Sequence, residues 1–339
     1  MRKLLLQWHI TDNCNCRCSH CYQENTLPAV EPDIKTQAAV VNQFKTLLVS
    51  LGTKARPAYG QITVTGGEPL MQDNFFELLQ LFAQNKQYFA FAILTNGTLI
   101  TPNIVTKLQA LKPLFVQVSI EGCETTHDSI RGKGNYQQAL HGLRHLVNGK
   151  IRTFISFTAH KDNFREFTAV AELGRKLKVD KVWADRYIPL GAQESFHEKM
   201  LTASETLEFI NIMAHARHHN QKRWFNKTKI SLERGLQFLQ GGGQPYHCTA
   251  GNSLLTLMPN GDVYPCRRMP LTVGNLTQHS LTEIYQSSPL LQKLRTKITS
   301  SGCDKCLHRT ACRGGLKCLA SAVYGDPWQA DPGCWYAHR

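Results

Sequence analysis

Cysteine placement constrains this chain more than any other feature. Its 339 residues include twelve cysteines, and all but Cys123 fall in two groups near opposite ends. Residues 14–21 read CNCRCSHC, carrying Cys14, Cys16, Cys18 and Cys21. The second group is Cys248, Cys266, Cys303, Cys306, Cys312, Cys318 and Cys334. In a short secreted chain such a pattern would read as a disulfide framework. A chain of this length can bury a core without staples, so clustered thiols read as metal or redox ligands. Thiolates at close spacing select zinc or iron–sulfur clusters.

Between the two groups, short β-rich runs alternate with helical patterns. The strand candidates are 3–11, 60–66, 89–97, 114–122, 153–160 and 181–188, rich in β-branched and aromatic residues and ending near Gly, Asn or Asp. Segments 34–50, 73–84, 102–111, 135–148 and 163–177 repeat apolar residues at helical spacing, as in FFELLQLF. Six strands separated by helices imply parallel βαβ units, too few to close an eight-stranded barrel. The expectation is an α/β fold, a partial (β/α)6 TIM-like barrel with its chemistry at the C-terminal strand ends. Residues 203–217 read as a helix and 219–227 as a polar, basic stretch, and GGGQP (241–245) marks a break. The expected domains are therefore 1–200, a bridging helical region 201–245, and a cysteine-rich tail 246–339 that needs metal to fold.

The formal net charge of +14 suits an acidic peptide or partner better than nucleic acid, because Lys and Arg are dispersed with no aromatic-basic stripe. No apolar run is long enough to span a bilayer. The N-terminal MRKLLLQWHITDNC lacks the length and cleavage site of a signal peptide. It reads as a first strand, and the protein as cytoplasmic, with no membrane partner.

Cys14, Cys18 and Cys21 are spaced C-x3-C-x2-C just after that strand. Three thiolates on one tight loop can hold three irons of a [4Fe–4S] cluster and leave the fourth open to a chelating small molecule. Four-cysteine zinc sites usually come as two C-x2-C pairs, and this group lacks the second. Cys16 is either a fourth ligand or a small buried hydrophobe, and crowding by its neighbours favours the second.

The C-x3-C-x2-C motif followed by Tyr22 resembles the radical S-adenosylmethionine (SAM) superfamily. The resemblance implies that SAM chelates the open iron and is reductively cleaved to methionine and a 5′-deoxyadenosyl radical. TGGEP (65–69) is similar to the family's glycine-rich stretch for the methionine amino group, which implicates Gly66, Gly67 and Glu68. TNGT (95–98) also matches. VSIEG (118–122) places Ser119 where the family contacts ribose, with Glu121 beside it, and Ser156 and Arg186, on the fifth and sixth strands, are further candidates for contact with the SAM carboxylate or ribose.

The C-terminal group resembles the SPASM domain, the auxiliary-cluster extension of peptide-modifying members. Carried over by position, Cys303, Cys306, Cys312 and Cys334 would hold one auxiliary [4Fe–4S] cluster. Cys248, Cys266 and Cys318 would hold the other, one cysteine short. The interval CRGGLKC between Cys312 and Cys318 exceeds the family's spacing by two residues, a lengthened loop. Three clusters are thus expected, with SAM as the other cofactor.

This resemblance implies hydrogen abstraction from a ribosomally made peptide and a C–C or thioether cross-link. Alternatives are a quinone- or haem-type cofactor maturase and an anaerobic sulfatase maturase. Arg267 stands where the sulfatase maturases carry a basic Asp, which counts against the last. A non-enzymatic iron–sulfur electron carrier is the reading from another class, and it would need no GGE at a strand end. The implied partners are a peptide or small protein and a flavodoxin- or ferredoxin-like electron donor; with only thirteen residues before Cys14, leader recognition would need a separate leader-binding protein, a different surface, or no leader. Cys123 reads as a small hydrophobe at a strand end, and HARHH (215–219) as a solvated helix end. No general base is legible.

Overall fold

The first strand sets the pattern for the fold. In KLLLQWH, Leu4, Leu6 and Trp8 are buried on one face, and Trp8 packs on Phe82 with ring centroids 6.0 Å apart. The computed structural model describes residues 3–23, 31–53, 58–191, 198–221, 228–296 and 298–336; residues 222–227 of the expected basic stretch lie outside them. The strands are β1 (Lys3–His9), β2 (Tyr59–Thr65), β3 (Phe89–Thr95), β4 (Val116–Ser119) and β5 (Thr153–Ala159). They continue with β6 (Lys181–Arg186), β7 (Lys229–Ser231), β8 (Leu254–Leu257), β9 (Asp262–Tyr264) and β10 (Gly274–Asn275). Helices α1 (Ile34–Leu51), α2 (Phe75–Gln84), α3 (Pro102–Leu111), α4 (Glu124–Arg131), α5 (Asn135–Asn148) and α6 (Phe167–Leu177) connect the first six strands.

Contacts group the chain into two units. The first comprises Met1–Asn15, Asn25–Val116 and Thr249–Thr296; the second comprises Cys16–Glu24, Gln117–Cys248 and Lys297–Arg339. In the first, β1 pairs in parallel with β2 and β2 with β3, as βαβ connections require. Asp33 caps α1 by accepting from Thr36 N at 2.8 Å, and Pro102 opens α3 behind the capping Thr101. On its other edge β1 pairs in parallel with β8, Leu5 opposite Leu254. That pairing places Thr249–Thr296 with the N-terminal residues, although the sequence pattern grouped 246–339 together.

Register then shows two unlike faces. Leu6, Ile62 and Leu255 form one row, each fully buried. Gln7, Thr63 and Thr256 form the next row on the opposite face. A parallel sheet covered on both sides normally reads as an unbroken apolar run. Here one face packs on helices and the other carries Gln7, Thr63 and Thr256 among its residues.

In the second unit β5 pairs in parallel with β6, and β6 with β7. Ile120 N donates to Ser156 O at 2.9 Å beside the end of β4. Phe157, Phe167 and Phe209 pack with ring centroids about 6 Å apart, fixing the helix Ala203–Gln221 over α6. HARHH lies in the last turns of that helix. The tail adds short helices Arg309–Cys312 and Lys317–Tyr324. Arg313, Gly314 and Gly315 between them all have positive φ, so the extra residues of CRGGLKC form a left-handed turn. Among the described residues no helix is long and apolar enough to cross a membrane.

Two features depart from the sequence pattern. Helix α4, reading ETTHDSIR, follows β4 directly where no helix was expected, because it buries only His127 and Ile130. Strands β7 to β10 also went unread, being two to four residues long and specified by distant partners rather than local alternation.

Candidate functional site

In the first unit the glycine-rich turn after β2 lies against the residues leading into Cys14. Gly67 N donates to Thr11 O and Glu68 N to Asn13 O, both at 2.8 Å. A Cβ at Gly67 would fall 2.1 Å from Asn13 O, and one at Gly66, where φ is +156°, 2.4 Å from Thr11 O. Only glycine permits this approach. Glu68 is fully buried and accepts from Thr95 Oγ1 (2.7 Å), Asn96 N (2.7 Å) and Leu70 N (3.3 Å). It thereby ties the GGE turn to TNGT. Asn96 Nδ2 donates to Asn15 Oδ1 at 2.8 Å, and Asn15 Nδ2 donates to Thr98 Oγ1 at 2.9 Å, so TNGT also holds the cysteine loop. Burial raises the Glu68 carboxyl to about 7; hydrogen bonds from Asn96, Thr95 and Leu70 pull it back, and the Cys14 charge adds to the rise.

Residues 16–21 and α4 make the corresponding cluster in the second unit. Ser19 N donates to Ile130 O at 2.9 Å, fastening the loop to the end of α4. Arg131 Nη1 lies 3.7 Å from Cys18 Sγ, while its Nη2 and Nε donate to Glu121 Oε1 at 2.6 and 3.2 Å. Glu121 also accepts from Thr158 N at 2.8 Å and meets His20 Nε2 at 3.3 Å. Glu121 is 1% exposed. Although burial opposes ionisation, the charges of Arg131 and His20 hold its carboxyl far below the usual range.

Glu121 N donates to His127 Nδ1, which puts the ring proton on Nε2, facing Asn135 Oδ1 at 2.9 Å. The Asn135 amide then donates to Cys16 Sγ at 3.1 Å. Cys16 is buried, and its hydrogen bond to Cys18, aided by Arg131 and His20, lowers the Cys18 thiol to about 6 against the effect of burial. These contacts favour the Cys18 thiolate, the form that binds iron. Cys21 is exposed, and its sulfur accepts from Gln23 N at 3.4 Å.

Ser119 and Ser156, both half-buried, stand with their hydroxyls 3.4 Å apart. Arg186 lies on the neighbouring strand, and its Nη1 and Nη2 donate to Asp331 Oδ1 and Oδ2 at 2.8 and 2.6 Å. Asp331 is 1% exposed and also accepts from Leu316 N and Gly333 N, both at 2.9 Å.

Cys303, Cys306, Cys312 and Cys334 line one small cavity together with Leu236, Leu239 and Tyr336. Burial raises Cys303 to about 11 and Cys312 to about 12, and the charges of neighbouring cysteines push both the same way. Cys303 and Cys312, which resist ionisation, stand with Cys306 and Cys334 around this space, four sulfurs of the kind that could hold an iron–sulfur cluster. Cys318 is buried and Cys248 half-buried in the second unit; Cys266, half-buried, belongs to the first. Cys123, expected as a small hydrophobe at a strand end, is exposed at the N-cap of α4.

The sequence pattern missed Arg131, His20, His127 and Asn135. The available signal was the charge pair Glu121 and Arg131, flanking a segment with a helix-compatible pattern just after a strand.

Comparison with known proteins accords with this geometry. The radical SAM superfamily model matches residues 8–174, and a model of an iron–sulfur cluster-binding (SPASM) domain matches 248–308. An AdoMet-dependent heme synthase of Methanosarcina barkeri is 27% identical over 98% of this chain and 96% of its own length. The mycofactocin maturase MftC of Mycolicibacterium smegmatis is 26% identical over 98% of this chain and 82% of its own length. Streptococcus suis SuiB bound to S-adenosylmethionine shares the fold at TM-score 0.77 and 17% identity, over 98% of this chain and 77% of that one. The enzyme anSMEcpe with bound AdoMet does so at TM-score 0.79 and 17% identity, over 100% and 91%. The chain thus belongs to the radical SAM superfamily, as an enzyme that uses SAM and [4Fe–4S] clusters and joins an α/β, partial (β/α)6 TIM-like barrel to a cysteine-rich SPASM domain.

Proposed function

We propose that this enzyme matures a ribosomally made peptide by abstracting a hydrogen and closing a C–C or thioether cross-link. The supporting observation is fold overlap along nearly the whole chain with two enzymes solved with peptides bound. SuiB with its precursor peptide SuiA overlaps 97% of this chain, and anSMEcpe with a Cp18Cys peptide 99%. Cys14, Cys18 and Cys21 would hold the cluster that supplies the electron for SAM cleavage. Gly66 and Gly67 would bring backbone close to the methionine end of SAM, and Glu68 would keep that turn in place. Ser119 and Ser156 would present paired hydroxyls to the ribose. Arg186 is given to Asp331, and its part in SAM binding would run through the position of β6.

Cys303, Cys306, Cys312 and Cys334 would hold one auxiliary cluster, and Cys248, Cys266 and Cys318 the other. The division into 1–200, 201–245 and 246–339 remains the functional one in this proposal. A cytoplasmic location, a flavodoxin- or ferredoxin-like donor and a separate leader-binding protein complete it.

A second reading, modification of a haem-type tetrapyrrole, is favoured by the heme synthases among the relatives. Anaerobic incubation of the reduced enzyme with SAM and either a candidate precursor peptide or an iron porphyrin separates the two. Peptide mass reduced by two hydrogens per cross-link supports the first. Conversion of the porphyrin with no change in any peptide overturns it.

A further inference from the structure

The Arg131 contact points to a control on the cluster itself. Arg131 is the last residue of α4, its side chain 10% exposed, with Nη1 3.7 Å from Cys18 Sγ. Two hydrogen bonds to Glu121 Oε1 hold the guanidinium there. The bond from Ser19 N to Ile130 O fixes the helix end against the same loop. A long cation so restrained is aimed, not solvated.

We infer that Arg131 is a positioning residue that raises the reduction potential of the [4Fe–4S] cluster held through Cys18, with Glu121 setting both its place and the size of its effect. The inference rests on the reading of Cys18 as a cluster ligand. Reduction adds one electron to the cluster, taken from the external donor, which loses one. Net charge and hydrogen bonds to the sulfurs tune the potential of such a site. A guanidinium at the sulfur stabilises the added negative charge, and the Glu121 carboxylate behind it offsets part of that gain. Arg131 Nη1 lies 3.7 Å from Cys18 Sγ, and the Glu121 carboxylate meets the same guanidinium at its Nη2 and Nε. Neutralising Arg131 and neutralising Glu121 therefore move the potential in opposite directions.

The test is an EPR-monitored redox titration of the holoenzyme, following the reduced-cluster signal that changes when SAM is added. At the applied potential that half-reduces the wild type, Arg131→Gln is expected to lower the reduced-to-oxidised ratio about tenfold, or about 59 mV for a one-electron couple. Arg131→Lys restores most of the ratio, Glu121→Gln raises it above wild type, and signals insensitive to SAM stay where they were. A purely structural role would not reverse sign between the two neutralising variants. An unchanged ratio in Arg131→Gln at full iron content overturns the inference. Should Arg131→Gln lose its iron, absence of an upward shift in Glu121→Gln overturns it instead. A wild type with no SAM-sensitive signal overturns the reading of Cys18 and the inference with it.

Discussion

Cys18→Ala is expected to reduce SAM cleavage to background, while Cys16→Ala leaves it within about fivefold of wild type. The two residues sit two positions apart and both are sheltered, so composition alone would not separate them. Their surroundings do. Cys18 faces the Arg131 guanidinium, which favours its thiolate, whereas Cys16 accepts from the Asn135 amide and hydrogen-bonds to Cys18. Losing the Cys16 hydrogen bond removes about 1 kcal/mol of support for the Cys18 sulfur, about fivefold in an equilibrium constant. On the proposed assignment, losing Cys18 removes one of three ligands from a site with no spare. Iron analysis provides an independent readout. The three-cluster assignment implies about twelve irons per chain, falling to about eight in Cys18→Ala and staying near twelve in Cys16→Ala. Equal loss of iron in both variants would make Cys16 a ligand.

Asp331→Ala is expected to be the most destabilising single change in the cysteine-rich tail. It would leave the Arg186 guanidinium buried without its carboxylate, and breaking a buried pair typically costs about 3–5 kcal/mol. Two backbone donors, Leu316 N and Gly333 N, would lose their acceptor as well, and each buried orphan adds about 1–3 kcal/mol. Arg186→Met should be milder, because Asp331 keeps those two N–H bonds. Asp331 is three residues before Cys334, and Cys334 N donates to Asp331 O at 2.9 Å, so iron in the tail should fall along with stability. The urea midpoint and iron per chain of the two variants check the order. Arg186→Met at least as damaging as Asp331→Ala would show that the carboxylate is not the organising centre.

Local chemistry made much of this protein legible. The six strands and five of the first six helices follow from alternation and helical spacing, with ends marked by Thr101, Pro102 and Asp33. The C-x3-C-x2-C and GGE motifs could be read because such sites need close backbone approach and closely spaced thiols, both of which leave short patterns.

What could not be read depends on distant partners. Strand β8 exists because Leu254 and its neighbours complete the edge of β1, and no feature of LLTL announces that. Arg131 drew no reading from the sequence, because no helix was expected over 124–131 and its place beside Cys18 follows only from where α4 ends. Arg186 was expected at SAM, but its partner lies 145 residues away, a distance over which no periodicity carries. Glu68 was expected to meet an ammonium; its carboxylate is spent on Thr95, Asn96 and Leu70, so its effect on the site passes through the turn it holds.

Incubation of the anaerobically reconstituted, reduced wild-type protein with SAM is the most direct test of the whole account. Formation of 5′-deoxyadenosine and methionine in equal amounts, dependent on the reductant, is the expected result. A protein that carries its full iron and yields no 5′-deoxyadenosine would contradict the account and leave an iron–sulfur carrier in its place.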